Sequence, residues 1–204
     1  MPRTAVVAST TANVKLVHME TGERPRVRRF TADEAMRMVD AGILGDDEPV
    51  ELLEGALVEM SPQGPRHAFA TIRLAQRLRG VYAEDAHVRE EKPLAASEHD
   101  LPEPDVAVVR GRESACADRH PSGADAILIV QLALTSQRID RRKASIYASA
   151  GVEVYWLVDL AARRLEVRTT PVDGAYQVTQ VLAEDDVVEL PGSGARWTVR
   201  DLLP

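Results

Sequence analysis

Cysteine is almost absent from this 204-residue sequence. The single Cys116 has no partner for an intramolecular disulfide and cannot build a multi-cysteine zinc site, so a reducing, cytoplasmic setting is the expectation. Aromatic residues make up only 4% of the chain, which leaves the core to aliphatic side chains. No apolar run approaches the roughly 20 residues that cross a bilayer. The segment that begins Met1-Pro2-Arg3-Thr4 lacks an apolar stretch of secretory length. No membrane partner is expected. Basic residues number 25 against 32 acidic ones, and the net charge of −7 argues against a protein that coats nucleic acid by bulk attraction. A nuclease survives that argument, because local charge governs contact with a phosphate. The phosphate-cradling P-loop, the dinucleotide glycine fingerprint and the nucleophile elbow are all missing. His18, His87, His99 and His120 show no metal-ligand spacing, so a zinc centre is not expected.

What remains is ordinary for a globular protein: 45% hydrophobic and 28% charged residues, on a chain long enough for one well-buried core. Residues 1–28 have little periodicity and are expected to form a loose arm, with 29–204 as a single domain. Charge is segregated along that domain. Asp46 to Glu59 carries six acids and no base, whereas Arg66 to Arg79 holds four arginines and no acid. Arg138 to Lys143 holds four bases and one acid. Each cluster alone also fits a solvated face.

Local patterns give the elements. Thr31-Ala32-Asp33-Glu34 is a capping box, followed by Met36, Val39 and Ile43 at helical spacing and closed by Gly42 and Gly45. Asp46 to Pro49 predicts a turn. Val50–Leu53 and Ala56–Met60 predict a hairpin about Glu54-Gly55. A long helix is expected from Arg66 to Tyr82, with Ala70, Leu74, Leu78 and Val81 as its apolar stripe. His87 to Glu91 predicts a strand, and 111–123 a flexible surface loop. Val106–Val109, Ala126–Leu132 and Val154–Val158 are continuous apolar runs, the pattern of strands buried on both faces. Ile139 to Ala150 is expected as a helix ended by Gly151. Strands at Leu165–Val167, Tyr176–Val181 and Val187–Leu190 follow, the first two joined by an Asp173-Gly174 turn, and Thr198 to Leu203 predicts a short terminal helix. The fold class is α/β (α+β): a mixed central β-sheet flanked by helices, with antiparallel C-terminal strands.

Several polar groups interrupt these apolar runs, where burial is costly without a partner or a metal. Asp105 follows Pro104 at the mouth of a buried strand, and proline fixes the direction of the chain there. It fits a metal ligand or a carboxylate ending a strand in water. Glu51 shares a strand face with Leu53, which should point to the core, so it needs compensation that a cation supplies. Glu54 is more simply a turn residue. Lys143 lies one helical turn before Tyr147, and pointed at the acids it would stabilise phosphate charge or orient water. Arg141 and Arg142 read as solvent or phosphate contacts. Gln131 interrupts the run Ile127 to Leu132; its carbonyl fits a weak cation ligand or a structural hydrogen-bonder, without negative charge. His67 opens the long helix, as a donor to a phosphate or to Glu51, or as a half-exposed polar residue. Ser136 and Cys116 have no neighbours that mark them as nucleophiles.

Three segments, taken together, resemble the Uma-type restriction endonuclease family within the PD-(D/E)xK nuclease superfamily. Glu51-Leu52-Leu53-Glu54-Gly55, Met60-Ser61-Pro62 and His67 look like its N-terminal signature. Glu103-Pro104-Asp105-Val106-Ala107-Val108-Val109 looks like its aspartate strand. Asp140, Lys143, Tyr147-Ala148, Ala150-Gly151-Val152 and Tyr155-Trp156-Leu157-Val158-Asp159 look like its lysine helix and next strand. The resemblance runs from about residue 29 to the C-terminus. It implies a restriction-endonuclease-like core that hydrolyses phosphodiester bonds in DNA with Mg²⁺ or Mn²⁺. Asp105 would then be a metal ligand, Glu51 a helper acid, Lys143 the catalytic lysine and His67 a site-lining residue. The family's second metal-binding acid maps onto Gln131, so the metal set becomes Asp105, Gln131 and Glu51. The alternative is a weakened or inactive relative that binds nucleic acid or a protein. A homodimer is expected by analogy with enzymes that address both strands.

Overall fold

Thr31 caps the first helix as its sequence predicts. In the computed structural model, which describes residues 27–45, 48–83, 85–134 and 137–204, its hydroxyl accepts from the Glu34 amide at 3.1 Å. Glu34 accepts in return from the Thr31 amide, also at 3.1 Å. Helix α1 (Ala32–Asp40) ends one turn earlier than the spacing of Met36, Val39 and Ile43 suggests. Gly42, at φ +67°, closes it: the Gly42 amide reaches the Val39 carbonyl and the Ile43 amide the Met38 carbonyl. That paired closure turns Ile43 outward, where it is 70% exposed. The expected arm lies almost wholly outside the described residues, as do Asp46, Asp47 and Ser136 and the side chains of Asp140 and Arg141.

Strands β1 (Val50–Leu53) and β2 (Ala56–Glu59) form the expected hairpin. Glu54 and Gly55 both have positive φ, +52° and +78°, the backbone of a two-residue turn that matches strand twist. Gly55 has a second reason to lack a side chain, because a Cβ there would stand 2.5 Å from that of Arg29. Helix α2 (Pro65–Val81) follows, with proline in its first turn.

A six-stranded sheet in the order β3-β4-β5-β6-β7-β8 forms the centre. Its strands are β3 (Ala86–Glu90), β4 (Val106–Arg110), β5 (Ala126–Ala133), β6 (Val154–Asp159), β7 (Arg164–Val172) and β8 (Ala175–Ala183). Only β5 and β6 are parallel, joined across helix α3 (Gln137–Ser149); the other neighbours are antiparallel. The β7–β8 turn is Asp173-Gly174, both at positive φ, as its sequence predicts. A small pair, β9 (Val187–Glu189) and β10 (Arg196–Thr198), and a single 3-10 turn at Val199–Leu202 finish the chain. The sequence pattern missed β10, and the terminal element is 3-10 rather than α.

The continuous apolar strands are buried on both faces for the reason their sequence suggests. Val106, Val108, Leu128, Val130, Trp156 and Val158 pack with Ala70, Leu74, Ala75 and Leu78 of α2. The alternate residues Ala107, Val109, Ile129, Tyr155 and Leu157 pack with Ala144 and Tyr147 of α3. Register then fixes the functional end of the sheet. β4 and β5 pair Val106 with Val130, so one step further Asp105 comes beside Gln131. Both belong to the face covered by α3.

Candidate active site

β1 is tied to the body by one backbone bridge, the Leu101 amide donating to the Leu52 carbonyl at 2.8 Å. That bridge carries Glu51 to the end of the central sheet, 5% exposed, as its core-facing position requires. There it meets Lys143, 1% exposed, whose ammonium donates to Glu51 Oε1 at 2.6 Å and to the Glu103 carbonyl at 3.1 Å. Burial pushes the Glu51 carboxyl above its ordinary range, and the Lys143 charge pulls it back. Its other oxygen, Oε2, is buried without a hydrogen-bond partner.

Asp105 is buried just before β4 and accepts from the Leu132 amide at 2.6 Å. Gln131 is buried beside it, and its Oε1 also lacks a partner. His67, in the first turn of α2, reaches the same place from the opposite face of the sheet. Its Nε2 lies 2.9 Å from the Leu132 carbonyl and 3.5 Å from Asp105 Oδ2. Its Nδ1 lies 3.0 Å from Gln63 Oε1, and Gln63 in turn donates to Glu91 at 2.7 Å. Both ring nitrogens therefore face acceptors, which suits the doubly protonated imidazolium. Asp105 accordingly raises the His67 pKa above its ordinary value, against an opposing effect of burial. His67 faces Asp105, not Glu51, so one of its two expected partners is corrected by the α2 position.

These residues line one cleft of about 590 Å³, together with Met60, Ser61, Pro62, Glu91 and Glu103. Glu51, His67, Asp105, Gln131 and Lys143, five positions spread over 93 residues of sequence, are brought together there. Glu54 stays a turn residue outside it. Arg142 differs from expectation: its guanidinium is bound to the Glu54 carboxylate rather than left for solvent or phosphate. The helix turns that side chain onto the β1–β2 turn. Glu103, Glu91 and Gln63 were missed as members of the site. Glu103 had a signal, standing two residues before Asp105; its carboxyl is pushed up to about 6 by burial first and then by Glu51. Gln63 lies in the loop that leads into α2, four residues before His67.

Among the described residues, no group of three His, Cys, Asp or Glu side chains is placed to hold a metal ion. The unpartnered oxygens tell how a cation would fit nonetheless. Glu51 Oε2 and Gln131 Oε1 are buried acceptors without donors, and with the Asp105 carboxylate they form an all-oxygen set. Hard divalent cations take such oxygens, and an amide at Gln131 brings one negative charge fewer than a carboxylate would.

Comparison with known proteins places the chain. The family described as "Putative restriction endonuclease", named Uma2, matches residues 33–200. The chain belongs to the Uma2 family. A crystal structure from Anabaena variabilis, titled as a putative nuclease belonging to DUF820, superposes with a TM-score of 0.69 at 21% identity. It covers 85% of this chain and 97% of its own. That likeness establishes the fold, a nuclease-like mixed sheet with flanking helices. No protein in the curated set matches. Uma2 membership supports a nuclease function in general terms. Among the described residues, no helix is long and apolar enough to cross a membrane.

Proposed function

We propose that the chain is a metal-dependent endonuclease that hydrolyses phosphodiester bonds in DNA, with Mg²⁺ or Mn²⁺ bound by Asp105, Glu51 and Gln131. The observation that carries the proposal is the pair of buried, unpartnered oxygens on Glu51 and Gln131, in the cleft that also holds Asp105 and Lys143. Leaving such atoms unpaired costs about 1–3 kcal/mol each, which a ligand recovers. A bound cation would supply a water of lowered pKa and neutralise phosphate charge. The chain's own side chains do the rest. Lys143 presents its ammonium from a dry position, where a charge stabilises developing phosphate negativity far better than in water. His67, held by Gln63 and the Leu132 carbonyl, adds a second cation beside Asp105 and fixes that carboxylate's direction. Two copies would address the two strands of a duplex, so the proposal includes a homodimer.

A specific observation favours a second form of the same proposal. Lys143 is already committed to Glu51, and Gln131 brings no charge, so metal affinity and turnover are low or absent and the fold serves binding. One experiment separates the two. Cleavage of single- and double-stranded DNA is followed with Mn²⁺ for wild type, Asp105→Ala and Gln131→Glu. Wild-type activity abolished by Asp105→Ala supports the enzyme. Activity that appears only in Gln131→Glu marks a weakened nuclease. Three inert proteins that also bind no Mn²⁺ by calorimetry would sink the metal site.

A further inference from the structure

Helix α2 carries its four arginines unequally. Arg77 is bound to Asp201 and Arg79 to Glu90. Arg66 and Arg73 are exposed, and among the described residues neither makes a hydrogen bond or an ion pair. Between them, on the face turned away from the sheet, stand Phe69 at 56% exposure and Ile72 at 52%. Phe69 is three residues from Arg66 and four from Arg73, so all lie on adjoining turns of one helix surface. The first turn of the same helix lines the cleft through Gly64 and His67. An exposed aromatic ring between two unpaired guanidinium groups is unusual on a chain of net charge −7. Its charge complements phosphate, and its ring and aliphatic side chain complement an unstacked base.

We propose that this face of α2 is a docking surface for a single-stranded segment of nucleic acid beside the cleft, with a base stacked on Phe69 and its phosphates on Arg66 and Arg73. The inference rests on the proposal that the cleft takes DNA. A duplex would use the arginines alone, because its bases are stacked inside and leave nothing for Phe69 to meet. Aromatic platforms flanked by cations are the general solution for unpaired strands, and they tolerate any sequence.

The test is fluorescence anisotropy of a labelled oligo-dT and of a duplex, with the full chain in EDTA so that no cleavage intervenes. Phe69→Ala should weaken oligo-dT binding by roughly tenfold or more and leave the duplex almost unchanged, while Phe69→Tyr retains both. Arg66→Ala and Arg73→Ala should each lower the salt slope for oligo-dT by roughly 0.7. Arg163→Ala, on the remote β6–β7 turn and paired with Glu184, should change nothing. Equal affinity of Phe69→Ala and wild type for oligo-dT, with unchanged thermal melting, overturns the inference alone. A wild type that binds neither probe at low salt overturns the nucleic-acid reading of the cleft as well. If sedimentation finds a wild-type dimer that Phe69→Ala dissociates, with oligo-dT affinity intact, the face is a self-association surface and the inference fails.

Discussion

Replacing Lys143 by methionine isolates the most deeply buried ion pair of the site. Methionine keeps most of the length and volume of the side chain but removes the ammonium of Lys143, a residue only 1% exposed. Glu51 then loses its 2.6 Å partner while its second oxygen already has none, so both carboxylate oxygens are buried and unpaired. Breaking a buried pair from one side costs about 3–5 kcal/mol, because the remaining charge stays desolvated. The Glu103 carbonyl also loses a donor, which adds to the cost. With urea m-values of roughly 1–3 kcal/mol/M, the midpoint of unfolding should fall by roughly 1–5 M at neutral pH. Acid should relieve part of this. Burial raises the folded-state pKa of Glu51 above 4.5, and without Lys143 only the Glu103 backbone opposes that rise. The folded protein then binds a proton more tightly than the unfolded chain. The carboxyl is therefore tolerated below its unfolded pKa, and stability is lost as pH rises from there through the folded value. The double variant Glu51→Met with Lys143→Met removes both charges and should be more stable than either single variant, though inactive. A single Lys143→Met that costs less than about 1 kcal/mol, or a double variant no better than the singles, would show that the pair is not desolvated as described.

The Glu103 carboxyl, at about 6, makes a pH prediction for the metal-free protein. Its folded pKa lies above its unfolded one, so it makes urea stability decline as pH rises from 4.5 to about 6, and Glu103→Gln should make that decline shallower. Gly123→Ala probes packing away from the site: a Cβ there would stand 2.2 Å from the Ala150 carbonyl oxygen, against the end of α3. It should cost about 1–3 kcal/mol and lower the melting temperature by roughly 3–10 °C, measured by calorimetry. An unchanged melting temperature would refute that close approach.

The elements were largely legible because their signals are local. The Thr31–Glu34 box, the Glu54-Gly55 and Asp173-Gly174 turns, and the three continuous apolar strands each encode their structure within a few residues. Asp105 and Gln131 were visible as polar breaks in apolar runs, and Lys143 as a base one turn from Tyr147. The failures come where a contact is distant in sequence. Nothing near Arg142 announces that its partner is Glu54, 88 residues away. β10 is three residues long and exists only because β9 is there to pair with it.

The sequence by itself determined the mixed fold, the family and the residue types of the site, since periodicity, turn chemistry and motif order all reside in the chain. Tertiary structure alone decided how those residues meet. The β4–β5 register sets Asp105 beside Gln131, the β1 bridge to Leu101 delivers Glu51 to Lys143, and α2 aims His67 at Asp105. Each depends on pairing between segments far apart in sequence, and the two unpartnered oxygens on which the proposed cation site rests are a property of that burial, which no local pattern specifies.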